Sequence, residues 1–70
     1  MSPTDLAAIR ELLALRRAGV IAAVYCDAGV LRVELLDGHV FAARHPHRYG
    51  RVLFAVEQQI AANARKAVAA

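Results

Sequence analysis

Asp37-Gly38 divides two runs of alternating polarity, residues 30–36 and 39–43, and obliges the chain to reverse on itself there. Aspartate followed by glycine supplies the backbone that a tight turn between antiparallel strands requires. Read as a two-residue loop, it sets Leu36 opposite His39, Glu34 opposite Phe41 and Arg32 opposite Ala43. Side chains alternate between faces along a strand, so Leu31, Val33, Leu35, Val40 and Ala42 are expected together on the core face. Upstream, residues 20–26 are rich in strand formers and end at Asp27-Ala28-Gly29, which suits a type I turn with the glycine left-handed. The expectation is an antiparallel meander of three strands.

A helix is expected on each side of it. Ser2 can cap, Pro3 suits the first helical position, and Asp5 can close a capping box while meeting the helix dipole. Leu6, Ile9, Leu12 and Leu13 then recur at helical spacing, and Gly19 after Arg16 and Arg17 is a stop signal, which predicts a helix over residues 3–18. Tyr49, Val52, Leu53, Val56, Ile60 and Ala64 form one stripe, so a second helix is predicted from His47 or Arg48 into the terminal alanines. The fold class is therefore α+β, in the order α-β-β-β-α, with both helices on one sheet face. No internal repeat appears, and residues 1–70 read as a single small domain.

A chain of 70 residues buries only roughly 60% of its unfolded surface, yet 59% of this one is hydrophobic. Some of that apolar surface is expected to need a partner. Val20, Ala22, Val24 and Cys26 alternate with Ile21, Ala23 and Tyr25, so an edge strand is left apolar on both faces. Leu36 and Phe41 extend the open set under the pairing above. Self-association as a homodimer through Val20, Ala22, Val24, Leu36 and Phe41 is the expectation.

Net charge is +3, and eight of the nine basic residues are arginine, which favours an anionic partner. Cys26 is the only cysteine, so no intrachain disulfide forms, and a reducing cytoplasm is the expected compartment. No apolar run approaches the roughly 20 residues needed to span a bilayer, and residues 1–5 lack the basic and apolar parts of a signal peptide. No membrane association is expected.

The stretch 44–51, RHPHRYGR, is the densest cluster of functional side chains. A metal is not expected there. His39 and His45 are six residues apart, about 20 Å along a strand, and His45 with His47 makes only two ligands. Neither Cys26 nor Glu34 is brought near by the topology. Nucleophilic catalysis lacks a hydroxyl or thiol beside a base, because Ser2 and Thr4 belong to the helix cap and Cys26 ends an apolar strand. A histidine nuclease with arginine helpers stays open through His45 or His47, but the expectation is a binding module without enzymatic activity, cofactor or metal.

An anion fits better. A helix N-terminus favours one by its unpaired N–H groups and dipole, and here it is crowded by Arg44, His45, His47, Arg48 and Arg51. Arg48, Arg51, Arg65 and Lys66 lie on the side of the helix away from Tyr49, Val52, Val56 and Ile60. Such a stripe suits backbone-dominated contact with RNA or DNA, although a solvated helix face carries the same residues. The alternative is a protein–protein module or homodimeric adaptor.

The α-β-β-β-α order is that of double-stranded-RNA-binding domains, and HicA-type toxins share it. Asp37-Gly38-His39-Val40-Phe41-Ala42-Ala43-Arg44-His45-Pro46-His47 resembles the last strand and following turn of HicA-type sequences, which often end that strand in a His-Pro element before a basic helix. The active histidine of that family follows a Gly-Ser near the second strand. Gly29-Val30-Leu31 stands there in this chain, so the resemblance implies a relative without nuclease activity. The first half, with Leu6-Ala7-Ala8, Arg10, Leu12, Leu15, Gly19 and the hairpin segment Arg32-Val33-Glu34-Leu35, is similar to the small head–tail joining proteins of lambda-type phages. That resemblance implies an adaptor of phage or mobile-element origin. The family has one hairpin between two helices, so the strand after Asp37-Gly38 is an addition to its pattern.

Overall fold

The computed structural model describes residues 3–44 and 48–69. In chain order its elements are α1 (Pro3–Arg17), β1 (Ile21–Asp27), β2 (Val30–Leu35), β3 (Val40–Ala43) and α2 (Tyr49–Ala69). This is the α+β class and the α-β-β-β-α order expected from the sequence. The strands form one antiparallel sheet in the order β1-β2-β3. α1 packs on β1, α2 on β2 and β3, and the helices touch each other. A single core holds Ala8 and Leu12 of α1, Ile21, Leu31, Val33, Leu35 and Ala43 of the sheet, and Tyr49, Val52 and Val56 of α2. Both helices thus cover the same sheet face.

α1 begins at Pro3, carries Asp5 in its first turn and Arg16 and Arg17 in its last, and so matches its dipole at both ends. It ends on Gly19, whose φ of +77° only glycine adopts without strain. The Gly19 N–H donates to the Arg16 carbonyl and the Val20 N–H to the Leu15 carbonyl, 3.1 and 3.0 Å, the paired bonds of a Schellman stop. The buried stripe is Asp5, Ala8 and Leu12, with Ile9 and Leu15 partly buried. Leu6 and Leu13, expected on that stripe, are 43% and 41% exposed instead. The small Ala8 takes the contact position, which turns the two leucines outward. The expected cap by Ser2 lies outside the described residues.

The sheet departs from expectation at both hairpins. Asp27 pairs with Val30, so Ala28-Gly29 is the loop, and both residues have positive φ, 51° and 78°. That is a type I′ turn, whose twist matches the strands, rather than the type I turn expected. The second hairpin closes on three residues, Leu36-Asp37-Gly38. The Gly38 N–H donates to the Leu35 carbonyl at 3.2 Å, the Leu35 N–H to the His39 carbonyl at 2.9 Å, and Gly38 has φ +96°. Leu31 therefore faces Ala43, Arg32 faces Ala42, Val33 faces Phe41 and Glu34 faces Val40. The pairing is shifted by one residue from the expected one, and a one-residue slip turns a whole strand over. Phe41 and Ala43 point to the helices, while Val40 and Ala42, expected in the core, are exposed.

β1 carries a second irregularity. Ile21 pairs with Leu35 and Ala23 with Glu34, so Ala22 is an extra residue in a bulge. The expected strict alternation breaks there. Ile21 and Val24 are both packed in the core, and Ala23 and Tyr25 share the open face.

α2 starts at Tyr49, one residue after Arg48, and the other expected start, His47, lies outside the described residues. Tyr49, Val52 and Val56 are buried, Leu53 and Ile60 pack beside them, and Ala64, expected on the stripe, is exposed. Its 21 residues span about 31 Å, and residues 64–68 are all exposed on its outer end. A methyl group on Gly50 would meet Thr4 Cγ2 at 4.0 Å, so both helices begin at the same end of the molecule.

Candidate nucleic-acid interface

The end where both helices begin carries a groove between β3 and α2. On one wall β3 contributes Phe41 and Ala43, which the observed register turns toward the helices, and Arg44 follows directly. On the other wall stand Arg48, one residue before α2, and Arg51, Val52 and Ala55 of α2. Arg51 and Ala55, four residues apart, share one helical face, and Val52 and Ala55 are three apart beside it. Val52 and Ala43 are buried, Phe41 and Ala55 half-buried, and the arginines exposed, so the groove has an apolar floor and a cationic rim. Its cavity volume is about 600 Å³.

Two features favour positive charge at this end, against the Asp5 carboxylate beneath it and Asp27 beside it. α2 has no acidic residue in its first turn, so its dipole is not offset from within. Among the described residues no carboxylate forms an ion pair with Arg44, Arg48 or Arg51. Beyond Arg44 lies a second hollow of about 500 Å³, lined by Asp27, Ala28, Gly29, Val30 and Arg32.

Of the residues expected to bind nucleic acid, Arg44, Arg48 and Arg51 thus share one groove. Arg65 and Lys66 are exposed on the same helix, but Arg65 is 14 residues beyond Arg51, about 21 Å along the axis. His45 and His47 lie outside the described residues. The expected self-association set is divided. Val24 and Phe41 face the helices, Ala22 sits in the bulge, and Val20 and Leu36 line a separate cleft of about 410 Å³ with Leu35, Asp37, Ile60 and Asn63.

Beside that cleft Asp37 is held from several sides. It accepts from the His39 backbone N–H at 2.9 Å and from Asn63 Nδ2 at 2.6 Å, and its other contact is His39 Nδ1 at 2.8 Å. Gln59 Nε2 in turn donates to Asn63 Oδ1 at 3.0 Å. The bond from the His39 N–H, then the one from Asn63, hold the Asp37 carboxyl below its ordinary pKa.

Asp5, Cys26 and Tyr49 are far apart in sequence, and the fold makes them neighbours under the arginine end. Tyr49 is buried, and burial pushes its phenol above the ordinary range, with the Cys26 thiol and then the Asp5 carboxylate adding to the shift. No spacing in the sequence signals this trio, because it joins one residue from each of α1, β1 and α2.

No group of three or more metal-ligating side chains occurs among the described residues. No helix among them is long and apolar enough to cross a membrane. No family model matches the chain, and no curated protein or solved structure does. The resemblances to HicA-type toxins and to phage head–tail joining proteins therefore rest on the quoted residues alone.

Proposed function

We propose that this small α+β domain is a binding module without catalytic activity that contacts nucleic-acid phosphates through Arg44, Arg48 and Arg51. The observation that carries the reading is that three exposed guanidiniums, none paired with a carboxylate among the described residues, line one groove. A guanidinium matches a phosphate with two parallel hydrogen bonds, and the dipole of α2, which has no acidic residue in its first turn, adds to the attraction. Arg65 and Lys66 reach phosphates farther along the same strand. A lone exposed Cys26 is at home in a reducing cytoplasm, where such a partner is found.

Fluorescence anisotropy with labelled RNA and DNA oligonucleotides at low salt tests this. Three neutralised phosphates predict a log–log salt slope of about −2 on a single strand, from roughly −0.7 per contact. Changing Arg44, Arg48 and Arg51 together to Gln is expected to weaken binding at least tenfold. Absence of binding at low salt rejects the reading.

A second reading, a homodimeric adaptor, draws on the uncovered sheet face. Tyr25 and Val40 are 42% and 53% exposed there, flanking Arg32 and Glu34 of the central strand. A two-fold axis between those charges sets each Arg32 against the other chain's Glu34, so the surface is self-complementary. Sedimentation at tens of micromolar decides it, with Tyr25→Ser and Val40→Ser expected to shift a dimer to the 7.6 kDa monomer.

A further inference from the structure

The groove has an apolar floor as well as a cationic rim. We infer that it receives one unpaired base of a single strand, with the flanking phosphates on Arg44 on one side and on Arg48 and Arg51 on the other. This rests on the nucleic-acid reading above and narrows it.

A surface that reads phosphates alone needs cations and no cavity, because a duplex presents its backbone outward and keeps its bases stacked inside. Here the cations surround a concave apolar patch of Phe41, Val52 and Ala55 with a volume of about 600 Å³. That lies inside the range of about 300–1,000 Å³ typical of small-molecule sites. A nucleotide within a strand has the matching shape: one flat ring, apolar on its faces and polar at its edge, with an anion before it and another after it. The guanidiniums stand on opposite walls, Arg44 after β3 on one, Arg48 just before α2 and Arg51 on it on the other, so both anions meet charge. Phe41 supplies a ring for stacking, which tolerates any base. In a duplex the base would first have to leave its stack, a cost that is least when it is already unpaired.

The test uses the unmodified protein and three fluorescein-labelled dodecamers: a single strand, its duplex, and an abasic strand with the same phosphates. The single strand is expected to bind at least tenfold more tightly than either of the others. Ala55→Phe, which fills the floor, is expected to reduce it to the abasic level and leave abasic binding unchanged. Should that variant not fold, Phe41→Leu keeps the apolar volume and removes the ring, and is expected to cost the single strand alone about fivefold. Equal binding of duplex or abasic strand overturns the base pocket while the phosphate-binding function stands. Displacement of the single strand by polyglutamate at equal charge concentration overturns it in favour of an acidic peptide. No binding by any of the three rejects both.

Discussion

The seam between the sheet and α2 opens into a cleft at each end, and the two are built on opposite terms. At the Asp37 end, the carboxylate is already held by His39 and Asn63, and Asn63 by Gln59, so the polar groups satisfy one another across the turn and the helix. At the other end Arg44, Arg48 and Arg51 have no such carboxylate among the described residues. A closed hydrogen-bond network ties one element to another, whereas unpaired cations round an apolar hollow stabilise nothing inside the protein. The two clefts therefore differ in kind: one is lined by polar groups bonded to each other, the other by cations with no carboxylate partner among the described residues.

The largest test of that division is a pair of changes with opposite signatures. Leu35 is buried beneath the Asp37 cleft, 4% exposed, and Leu35→Ala removes core volume at a cost of about 2–5 kcal/mol. Denaturant unfolding is expected to record that loss, while the variant, where folded, binds oligonucleotide like the parent. Replacing Arg44, Arg48 and Arg51 by Gln is expected to do the reverse: binding falls, and stability stays within about 0.5 kcal/mol, as is usual for exposed positions. If the arginine change destabilises the protein as much as Leu35→Ala does, the two ends are not distinct.

A second test reaches beneath the arginine end. Burial raises the Tyr49 pKa in the folded state above its ordinary value of 10.0. The folded protein therefore retains a proton that the unfolded chain loses above pH 10, and stability falls as pH rises through the folded value. Below pH 10 the contribution is fully present. Thermal unfolding followed from neutral to strongly alkaline pH is expected to show a fall that Tyr49→Phe largely removes. A fall of equal size in the Phe variant would mean that another group carries it.

Element order was legible because it depends on strong local signals: Pro3 and Gly19 bound one helix, the stripe from Tyr49 to Ile60 marks the other, and two glycine turns cut the strands. Faces were less legible. In residues 20–26 nearly every side chain is apolar, so the pattern carries no phase, and nothing marks Ala22 as the bulged residue. Asp37-Gly38 does mark a turn, but glycine can sit second in a two-residue loop or third in a three-residue one. Leu36, apolar and so apparently part of the strand, enters the turn and is 70% exposed. That single residue moved Phe41 from the open face to the groove. Arg44, Arg48 and Arg51 were legible as a cluster from spacing alone; their apolar floor was not, since it depends on the register.

The two turns give the smallest and cleanest comparison. Each puts a residue at positive φ, and only one uses glycine for all of them: Gly38 stands at +96° in the Asp37 turn, whereas the turn at the arginine end holds Ala28 at 51° beside Gly29. Left-handed backbone costs an L-residue with a Cβ about 1–2 kcal/mol. Glycine avoids that cost but loses more freedom on folding, by roughly 0.5–1 kcal/mol relative to alanine. Ala28→Gly is therefore expected to stabilise the protein by about 0.5–1 kcal/mol, the difference between the two. Gly38→Ala is expected to destabilise it by about as much or more. A Cβ at Gly38 meets nothing within 4 Å, so backbone strain is the whole effect and no steric clash enters. Chemical denaturation of both variants against the parent measures the pair. Opposite signs are expected; a loss in Ala28→Gly would mean that the first turn relaxes out of its left-handed form, and that the arginine end is less rigidly framed than the Asp37 end.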